Sequence, residues 1–255
     1  MASRIASPAR RAAVAVGLFV STSSVSPSEV RRQPREPGPE VRQIVTFLFQ
    51  PGRLPDALAV YADRLLPIYV DVPPLIRFRA YREAESPEPL DLVVVSTYAG
   101  MAGIDAANVA LGRPHRSGRS AFALYGELSR MTASHHDQFV EMIAPLGDAS
   151  HDDDGLTVFE YVRVAPGRHE AFERLLAARV RPFERDRSLY QWTETGRMLV
   201  ADGWDYLRLF GVRSLEEWQT SITAVRGSDV QADLAPLVAA RKTIVLRSEP
   251  RLSVR

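Results

Sequence analysis

The sequence predicts an α+β fold in which two tandem ferredoxin-like (βαββα) halves pack sheet to sheet as an intramolecular α/β barrel. The first observation is an internal repeat: Pro51-Gly52-Arg53 recurs as Pro166-Gly167-Arg168, a shift of 166 − 51 = 115 positions. The second is the element order, because each copy reads as strand, helix, strand, strand, helix. Two copies that each leave one sheet face bare can bury those faces against each other.

The first strand and first helix are the clearest parts of each copy. Val41–Phe49 and Leu156–Val164 are dense in β-branched and aromatic residues, and both stop at Pro-Gly, which terminates strands. Apolar residues at helical spacing follow in both copies: Leu54, Leu58, Tyr61 and Leu65, then Phe172, Leu175, Leu176 and Val180. Pro67 and Pro182 are expected to end these helices, because proline lacks the amide donor and clashes one turn back.

Two strands and a second helix complete each copy. The strands are predicted at 75–81 and 90–98, answered by 189–195 and 204–211, with Leu75, Phe78 and Asp91 matching Leu189, Trp192 and Asp205 at a shift of 114. Second helices are expected near Met101 and Leu215. Ala144-Pro145-Leu146 matches Ala235-Pro236-Leu237 at a shift of 91, which gives the first copy 114 − 91 = 23 extra residues, expected within 112–134. Lys242–Arg247 is predicted as a closing strand, for which the first copy shows no counterpart.

The predicted organisation starts with an export signal at 1–25 and a disordered linker at 26–40. The first half follows at 41–146, an acidic linker at 147–155, the second half at 156–249 and a tail at 250–255. Arg4, Arg10 and Arg11 precede the apolar run Ala12–Val20, and small residues follow, as in export signals. We therefore expect a periplasmic or extracellular protein. The alternatives are an organelle-targeting segment and a basic tail on a cytoplasmic protein.

Composition excludes several classes of partner. The formal net charge is +1, so no global field recruits nucleic acid. No apolar stretch approaches the ~18 residues that span a bilayer. The chain contains no cysteine, so disulfides and thiol chemistry are absent. Since both halves lie in one chain, a monomer can complete the barrel, and a homodimer remains open.

The repeated strand and Pro-Gly-Arg pattern, with Gly203-Trp204 and Ser214-Leu215-Glu216-Glu217-Trp218, resembles the dimeric α/β-barrel superfamily. Within it, the NIPSNAP and antibiotic-biosynthesis-monooxygenase groups are the most similar. The resemblance covers roughly residues 41–249. It implies the fold, whereas the superfamily's members range from cofactor-independent monooxygenases and haem enzymes to proteins without known activity.

Strand parity divides the side chains between two faces. We expect Phe47, Phe49, Val162, Val164, Phe78, Trp192, Val93, Val95, Leu207 and Leu209 to pack under the helices. The opposite face, between the halves, should hold Thr46, Leu48, Tyr161, Arg163, Arg77, Arg79, Gln191, Tyr206 and Arg208. Arginine offers a planar fork of donors, so this face could bind a carboxylate or phenolate. The alternative is that these arginines pair with Glu160, Glu194 or Asp205.

Histidines supply the remaining candidates. His115 lies in a loop, 112–120, that could close over the cavity. His135, His136 and Asp137, with Glu141, could suit a metal, but adjacent histidines on a helix point about 100° apart. Ser134 with Asp137 also reads as a helix cap. We predict no metal site and no cofactor, with haem on His115 or His136 as the alternative.

Trp192, Trp204 and Trp218 are expected in the core. Phosphate-binding glycine loops and Gly-x-Ser-x-Gly are absent.

These observations leave three hypotheses and no assigned catalytic residue. The first is a barrel protein of NIPSNAP-like type that binds a small organic ligand between its halves, through Tyr161, Arg163, Gln191, Tyr206, Arg208, Arg77, Arg79 and His115. The second is a cofactor-independent monooxygenase, in which tyrosine or arginine stabilises a substrate anion that reacts with oxygen. The third is a structural protein whose inter-sheet face is filled core.

Overall fold

Eight antiparallel strands close into a barrel in the computed structural model, which describes residues 38–147, 155–200 and 202–253. The strands are β1 (Val41–Phe49), β2 (Leu75–Glu85), β3 (Leu92–Tyr98), β4 (Thr132–Met142), β5 (Leu156–Val164), β6 (Trp192–Val200), β7 (Tyr206–Val212) and β8 (Val238–Ser248). Around the barrel their order is β1-β3-β2-β8-β5-β7-β6-β4. The predicted export signal and nearly all of both linkers lie outside the described residues. The predicted tail starts as a 3-10 turn, Pro250–Leu252, whose Leu252 is buried.

Each half is a complete βαββαβ unit. The order β4-β1-β3-β2 in the first half repeats as β8-β5-β7-β6 in the second, and the pairs β2–β8 and β4–β6 join the halves. The α+β barrel of two ferredoxin-like halves expected from the sequence is therefore confirmed. Its first half also has the closing strand that the sequence did not reveal, namely β4.

The match between 144–146 and 235–237 was wrong. The first of these 3-10 turns follows the closing strand of its half, whereas the second precedes the closing strand. Thr132 lies opposite Phe49 and Val238 lies opposite Val164, which sets the shift between closing strands at 238 − 132 = 106. The first copy is therefore longer by 114 − 106 = 8 residues instead of 23.

Within the described part of the chain, six helices cover the barrel. They are α1 (54–70), α2 (Gly100–Leu111), α3 (Ala121–Ser129), α4 (169–186), α5 (Leu215–Arg226) and α6 (Asp229–Leu234). The first and fourth each contain a π-helical turn, Tyr61–Leu65 and Leu176–Val180, at equivalent places in the repeat.

Pro67 and Pro182 do not end their helices, contrary to the sequence-based expectation. In α1 the amide of Leu66 bonds to Tyr61 five residues back, and in α4 the amide of Arg181 bonds to Leu176 in the same way. Each proline follows directly after this wider turn, at a position where a new helical segment starts and needs no amide donor. Both helices therefore continue for another turn.

Apolar side chains fill three layers. The barrel interior holds Ile44, Tyr81, Val93, Val140, Phe159, Trp192, Leu207, Ile244 and Leu246 with their neighbours. A larger cluster lies under α1, α2 and α3, and two clusters lie under α4, α5 and α6. Among the described residues, no helix is long and apolar enough to cross a membrane.

The parity prediction is correct for the first strands and wrong for the third strands. Phe47, Phe49, Phe78, Val162 and Val164 pack under the helices, while Tyr161, Arg77 and Arg79 face the interior. Val93, Val95, Leu207, Leu209 and Trp192 instead lie inside the barrel, and Tyr206 and Arg208 face the helices. Both faces of β3 and β7 are buried, so hydrophobicity could not assign their direction.

The predicted alignment of Trp192 with Phe78 was wrong by one residue. A register shift in β2 between Leu75 and Arg77 makes Arg77 the partner of Thr97, and Trp192 is the partner of Gly211 at the equivalent place. Trp192 therefore corresponds to Arg77 and not to Phe78. A slip of one residue moves a side chain to the other face of a sheet, which is why the ring lies inside the barrel.

Candidate functional site

Each half holds a cavity between its helices and the outer face of its sheet. The first-half cavity, of about 430 Å³, is called the tyrosine cavity after Tyr61, Tyr69, Tyr98 and Tyr125 in its wall. The second-half cavity, of about 310 Å³, is called the arginine cavity after Arg208 and Arg241. Both volumes fall in the range of small-molecule sites.

Three elements bring the four tyrosines together. Tyr61 and Tyr69 are eight residues apart on α1, close to two turns plus the extra residue that the π-helical turn inserts. Tyr98 ends β3 and Tyr125 comes from α3. The Tyr69 and Tyr125 hydroxyl oxygens are 2.7 Å apart and share a hydrogen bond. Around these phenols the wall is apolar, with Val45, Phe47, Val94, Leu111 and Leu128.

The phenols of this cavity are neutral hydrogen-bonding groups. Burial raises the pKa of Tyr61 and the pKa of Tyr69 well above the usual value, with smaller contributions from neighbouring tyrosines. Burial likewise raises the pKa of Tyr125 and the pKa of Tyr98. A neutral phenol in an apolar wall can donate a hydrogen bond to an oxygen that develops negative charge.

A histidine and a carboxylate lie at the rim of the tyrosine cavity. His135 and Asp137 alternate along β4 and so point to the same face, with Nε2 of His135 3.5 Å from an Asp137 oxygen. Gln43 of β1 donates to the other Asp137 oxygen at 3.1 Å. The His135 ring also stacks on Phe47, with ring centroids 6.1 Å apart. This pair is placed to accept a proton from a molecule in the cavity.

The helix expected around His135 and His136 is a strand, so the proposed helix cap at Ser134 was wrong. On a strand, neighbouring side chains point to opposite faces. His136 therefore lies in a separate cavity at the end of the barrel, 2.7 Å from Asp202. No cluster of three or more histidine, aspartate or glutamate side chains suited to a metal ion occurs among the described residues.

The arginine cavity occupies the equivalent place in the second half. The cross-strand pair Val45 and Val94 of the first half becomes Glu160 and Arg208 in the second. Arg208 donates to Glu184 of α4 at 2.6 Å and to Glu160 at 3.3 Å, and Arg241 lies 3.6 Å from Glu160. Burial acts to lower the pKa of Arg208, but the two carboxylates outweigh it and raise that pKa above its usual value.

The eight residues singled out from the sequence do not form one site. Tyr161 and Arg163 line the barrel-end cavity of about 410 Å³, where Tyr161 donates to Gln138 at 2.9 Å and Arg163 lies over Trp204. Arg77 and Arg79 lie beside a cavity of about 20 Å³ inside the barrel. The other four are dispersed.

Those four have different surroundings. Tyr206 donates to Glu173 at 2.6 Å under α4, and Arg208 lies in the arginine cavity. Gln191 is exposed before β6. His115 bonds to Asp71 at 2.9 Å, and this contact, with nearby Arg116, lowers the pKa of Asp71. Sequence reasoning missed Tyr69, Tyr98 and Tyr125, because their convergence depends on the π-helical turn and on the path of α3.

Fold and cavities together define a ferredoxin-like α+β barrel of two halves, each with a cavity between its helices and its sheet. No protein-family model matches the sequence, and no curated protein matches it. Solved structures do match. A "putative monooxygenase" from Lactobacillus acidophilus NCFM has a TM-score of 0.59 at 9% identity, covering 82% of this chain and 94% of that one.

Two further structural neighbours have different descriptions. A heme-binding protein from Thermus thermophilus has a TM-score of 0.53 at 14% identity, over 82% of this chain and 91% of that one. Chlorite dismutase from Candidatus Nitrospira defluvii, in complex with imidazole, has a TM-score of 0.55 at 10% identity, over 83% of this chain and 92% of that one. At such low identity, these likenesses show the fold alone.

The described wall of the arginine cavity does not fit haem. Haem iron is held by histidine, cysteine, methionine or tyrosinate. The described wall of the arginine cavity includes neither histidine nor methionine, and burial raises the pKa of its single tyrosine, Tyr190, which opposes the tyrosinate form. His115 and His136, suggested from the sequence as axial ligands, lie outside that wall and contact Asp71 and Asp202. His135 lies at an exposed rim.

Proposed function

We propose that the protein is a cofactor-independent monooxygenase that binds a small aromatic substrate with an acidic C–H or O–H group in the tyrosine cavity. The observation that carries this proposal is the convergence of three buried phenols, Tyr61, Tyr69 and Tyr98, and the half-buried Tyr125, with apolar side chains and the His135–Asp137 pair at the rim. The monooxygenase-like neighbours support it at the level of fold.

The apolar wall favours a flat, uncharged ring system. Phe47, Tyr61 and Phe78 already form a chain of ring contacts along this layer, and a substrate ring can extend it. At the inner end of the cavity Tyr61, Tyr69 and Tyr98 are buried, and exclusion of water there strengthens each hydrogen bond. Polar groups then set the orientation: the Tyr69–Tyr125 pair on one side and Ser96 and Asn108 on another.

The proposed reaction needs no bound redox group. His135 removes a proton from the activated substrate, and Asp137 stabilises the resulting imidazolium. The neutral phenols donate hydrogen bonds to the oxygen of the substrate anion and so stabilise it. This deprotonated substrate is electron-rich enough to reduce O₂. For a ring methylene next to a carbonyl, R₂CH₂ and O₂ give R₂C=O and H₂O. One oxygen atom enters the product, the other leaves as water, and both hydrogens are accounted for.

Oxygen uptake by the purified chain, with no cofactor added, tests the proposal. A panel of anthrones and phenols should include a substrate whose consumption matches oxygen consumed one to one. Heavy-isotope oxygen gas should label the product.

His135→Gln should remove most of this activity. His136→Gln is the matched control, because this neighbouring side chain points away from the cavity. No turnover across the panel, or equal losses in both variants, would contradict the proposal.

Binding without turnover is the second candidate function, since the same cavity suits a ligand carrier. Saturable binding of an aromatic probe with no oxygen consumed would favour it.

Two sequence-based expectations also stay proposals. Export is supported by the arginines before Ala12–Val20, and NIPSNAP-like membership by the repeated Pro-Gly-Arg. N-terminal sequencing of the mature protein tests export, because an uncleaved Met1 would argue against a removed signal.

A further inference from the structure

Two complementary polar atoms of residues that line the arginine cavity lack partners, and neither atom is itself accessible from the cavity. Oε2 of Glu184 and Nε of Arg208 are buried and have no hydrogen-bond partner within the described part of the chain. Both residues are almost fully buried, with 3% and 5% of their surface exposed. An unmet acceptor or donor of this kind costs about 1–3 kcal/mol, more for charged groups. A bound molecule can remove that cost.

Within the described residues, the first half has no counterpart of this buried charge cluster. The positions of Glu160, Glu184 and Arg208 are held in the first half by Val45, Tyr69 and Val94. An uncharged filling is therefore compatible with this architecture, so packing alone does not demand the ion cluster. The second half instead places three charged side chains in the wall of a cavity of about 310 Å³.

Three aromatic rings form one part of the remaining wall, which is otherwise mainly aliphatic. Tyr190 and Phe210 have ring centroids 4.4 Å apart, and Trp218 lies 6.2 Å and 6.0 Å from them. The Arg208 guanidinium lies 4.7 Å over the Phe210 ring. Such rings favour a flat guest that stacks or meets them edge to face.

Charge indicates a neutral guest. Two cations, Arg208 and Arg241, face two anions, Glu160 and Glu184, in a single network. An anion would meet two carboxylates and a cation would meet two guanidinium groups. Arg226 adds one more positive charge to the lining, but it is exposed to solvent.

We propose that the arginine cavity is a second binding site, for a neutral planar cyclic amide. On binding, the Glu184 and Arg208 side chains turn toward the ligand, so that the ligand N–H donates to Oε2 of Glu184 and the ligand carbonyl accepts from Nε of Arg208. Its ring lies among Tyr190, Phe210 and Trp218. The site is separate from the tyrosine cavity and does not depend on oxygenase activity.

Calorimetric titration with 2-quinolinone tests this proposal on the full chain. N-methyl-2-quinolinone is the matched probe, because it keeps the ring and carbonyl but lacks the N–H. We expect 2-quinolinone to bind at least about ten-fold more tightly, as expected for one unmet buried group. Quinoline-2-carboxylate should bind more weakly still, because it is an anion.

Val225→Phe and Gly126→Phe test binding in the two cavities separately. Val225 lines the arginine cavity outside the ion network, so Val225→Phe should abolish binding while thermal unfolding stays cooperative. Gly126 lines the tyrosine cavity, and Gly126→Phe should leave 2-quinolinone binding unchanged. The proposal is overturned if 2-quinolinone does not bind, if both quinolinones bind equally, if the carboxylate binds most tightly, or if Val225→Phe has no effect.

Discussion

Arg42 of β1 and Glu194 of β6 form a bidentate ion pair although they belong to different halves, 152 residues apart in the chain. The two guanidinium nitrogens donate to the two carboxylate oxygens at 2.5 and 2.7 Å. Both residues are buried, and Glu40 accepts from the same guanidinium at 2.9 Å. Burial acts to lower the pKa of Arg42, but bonding to Glu194 and Glu40 raises that pKa overall. The pair thus holds the halves in register with a fully charged group.

Arg42→Met should destabilise the protein more than Glu194→Gln. Arg42→Met removes the bidentate guanidinium from the buried Glu194 carboxylate, a loss of about 3–5 kcal/mol for a broken buried pair. After Glu194→Gln, Arg42 keeps Glu40, whose side chain is 36% exposed, so the loss should be smaller. Chemical denaturation of both variants measures the difference in unfolding free energy. Equal losses would show that Glu40 does not compensate.

Tyr69→Phe and Tyr125→Phe should weaken substrate binding and turnover with little effect on the fold. Each change removes one hydroxyl of the 2.7 Å pair and keeps the ring. A lost hydrogen bond of this kind costs about 1 kcal/mol in stability. Turnover should fall much more, because removal of a hydrogen-bond donor to a developing oxyanion lowers kcat by up to about 10²–10³-fold. Steady-state kinetics with thermal unfolding distinguish the two effects, and full activity in both variants would exclude this pair from the reaction.

Gly126 offers a way to close the tyrosine cavity from α3. A Cβ built at this position meets nothing within 4 Å, and the residue lines the cavity. Gly126→Ala should stabilise the helix by up to about 1 kcal/mol, while Gly126→Phe should occupy the mouth and abolish binding of the oxygenase substrate in the tyrosine cavity. Fluorescence titration of both variants, with melting temperatures, is the measurement. Unchanged ligand affinity in Gly126→Phe would place the ligand elsewhere.

High pH should unfold the protein through its buried tyrosines. Burial raises the pKa of Tyr61 and the pKa of Tyr69 well above 10.0, so the folded state keeps protons that the unfolded state releases. Their contribution to stability is complete below about pH 10 and is lost as pH rises toward the folded pKa values. The melting temperature should therefore fall above pH 10, with tyrosinate absorbance rising cooperatively with unfolding. Gradual tyrosine titration in a folded protein would contradict this.

The sequence predicted the parts of the fold whose patterns are local. Val41–Phe49 and Leu156–Val164 are strong strands with turn signals after them, and the repeat made one half a guide to the other. Closing strand β4 was missed because Thr132–Met142 is polar and largely accessible along its first half, and Ser134 with Asp137 imitates a helix cap. Its identity depends on pairing with β1 and β6, which is a long-range property.

The candidate site was less predictable, because it too depends on long-range pairing and packing. Tyr206 and Arg208 were assigned to the barrel interior because Leu207 and Leu209 looked like the helix-facing set, yet all four are buried. Their direction follows from pairing between β5 and β7, where Glu160 lies opposite Arg208. Tyr69, Tyr98 and Tyr125 carry no joint motif and meet only after three elements have packed.

Gly211→Ala tests why Trp192 points into the barrel. These residues are cross-strand partners, and a Cβ at position 211 would lie 2.2 Å from Nε1 of Trp192, far inside contact distance. The indole is 3% exposed and packed among interior side chains, so it cannot swing away freely. Overpacking costs about 1–3 kcal/mol, and occasionally more. We expect a loss of that size in unfolding free energy and a changed Trp fluorescence spectrum. Gly126→Ala, at an open position, is the matched control, and a Gly211→Ala protein as stable as the parent would mean that the indole does not occupy the space above Gly211.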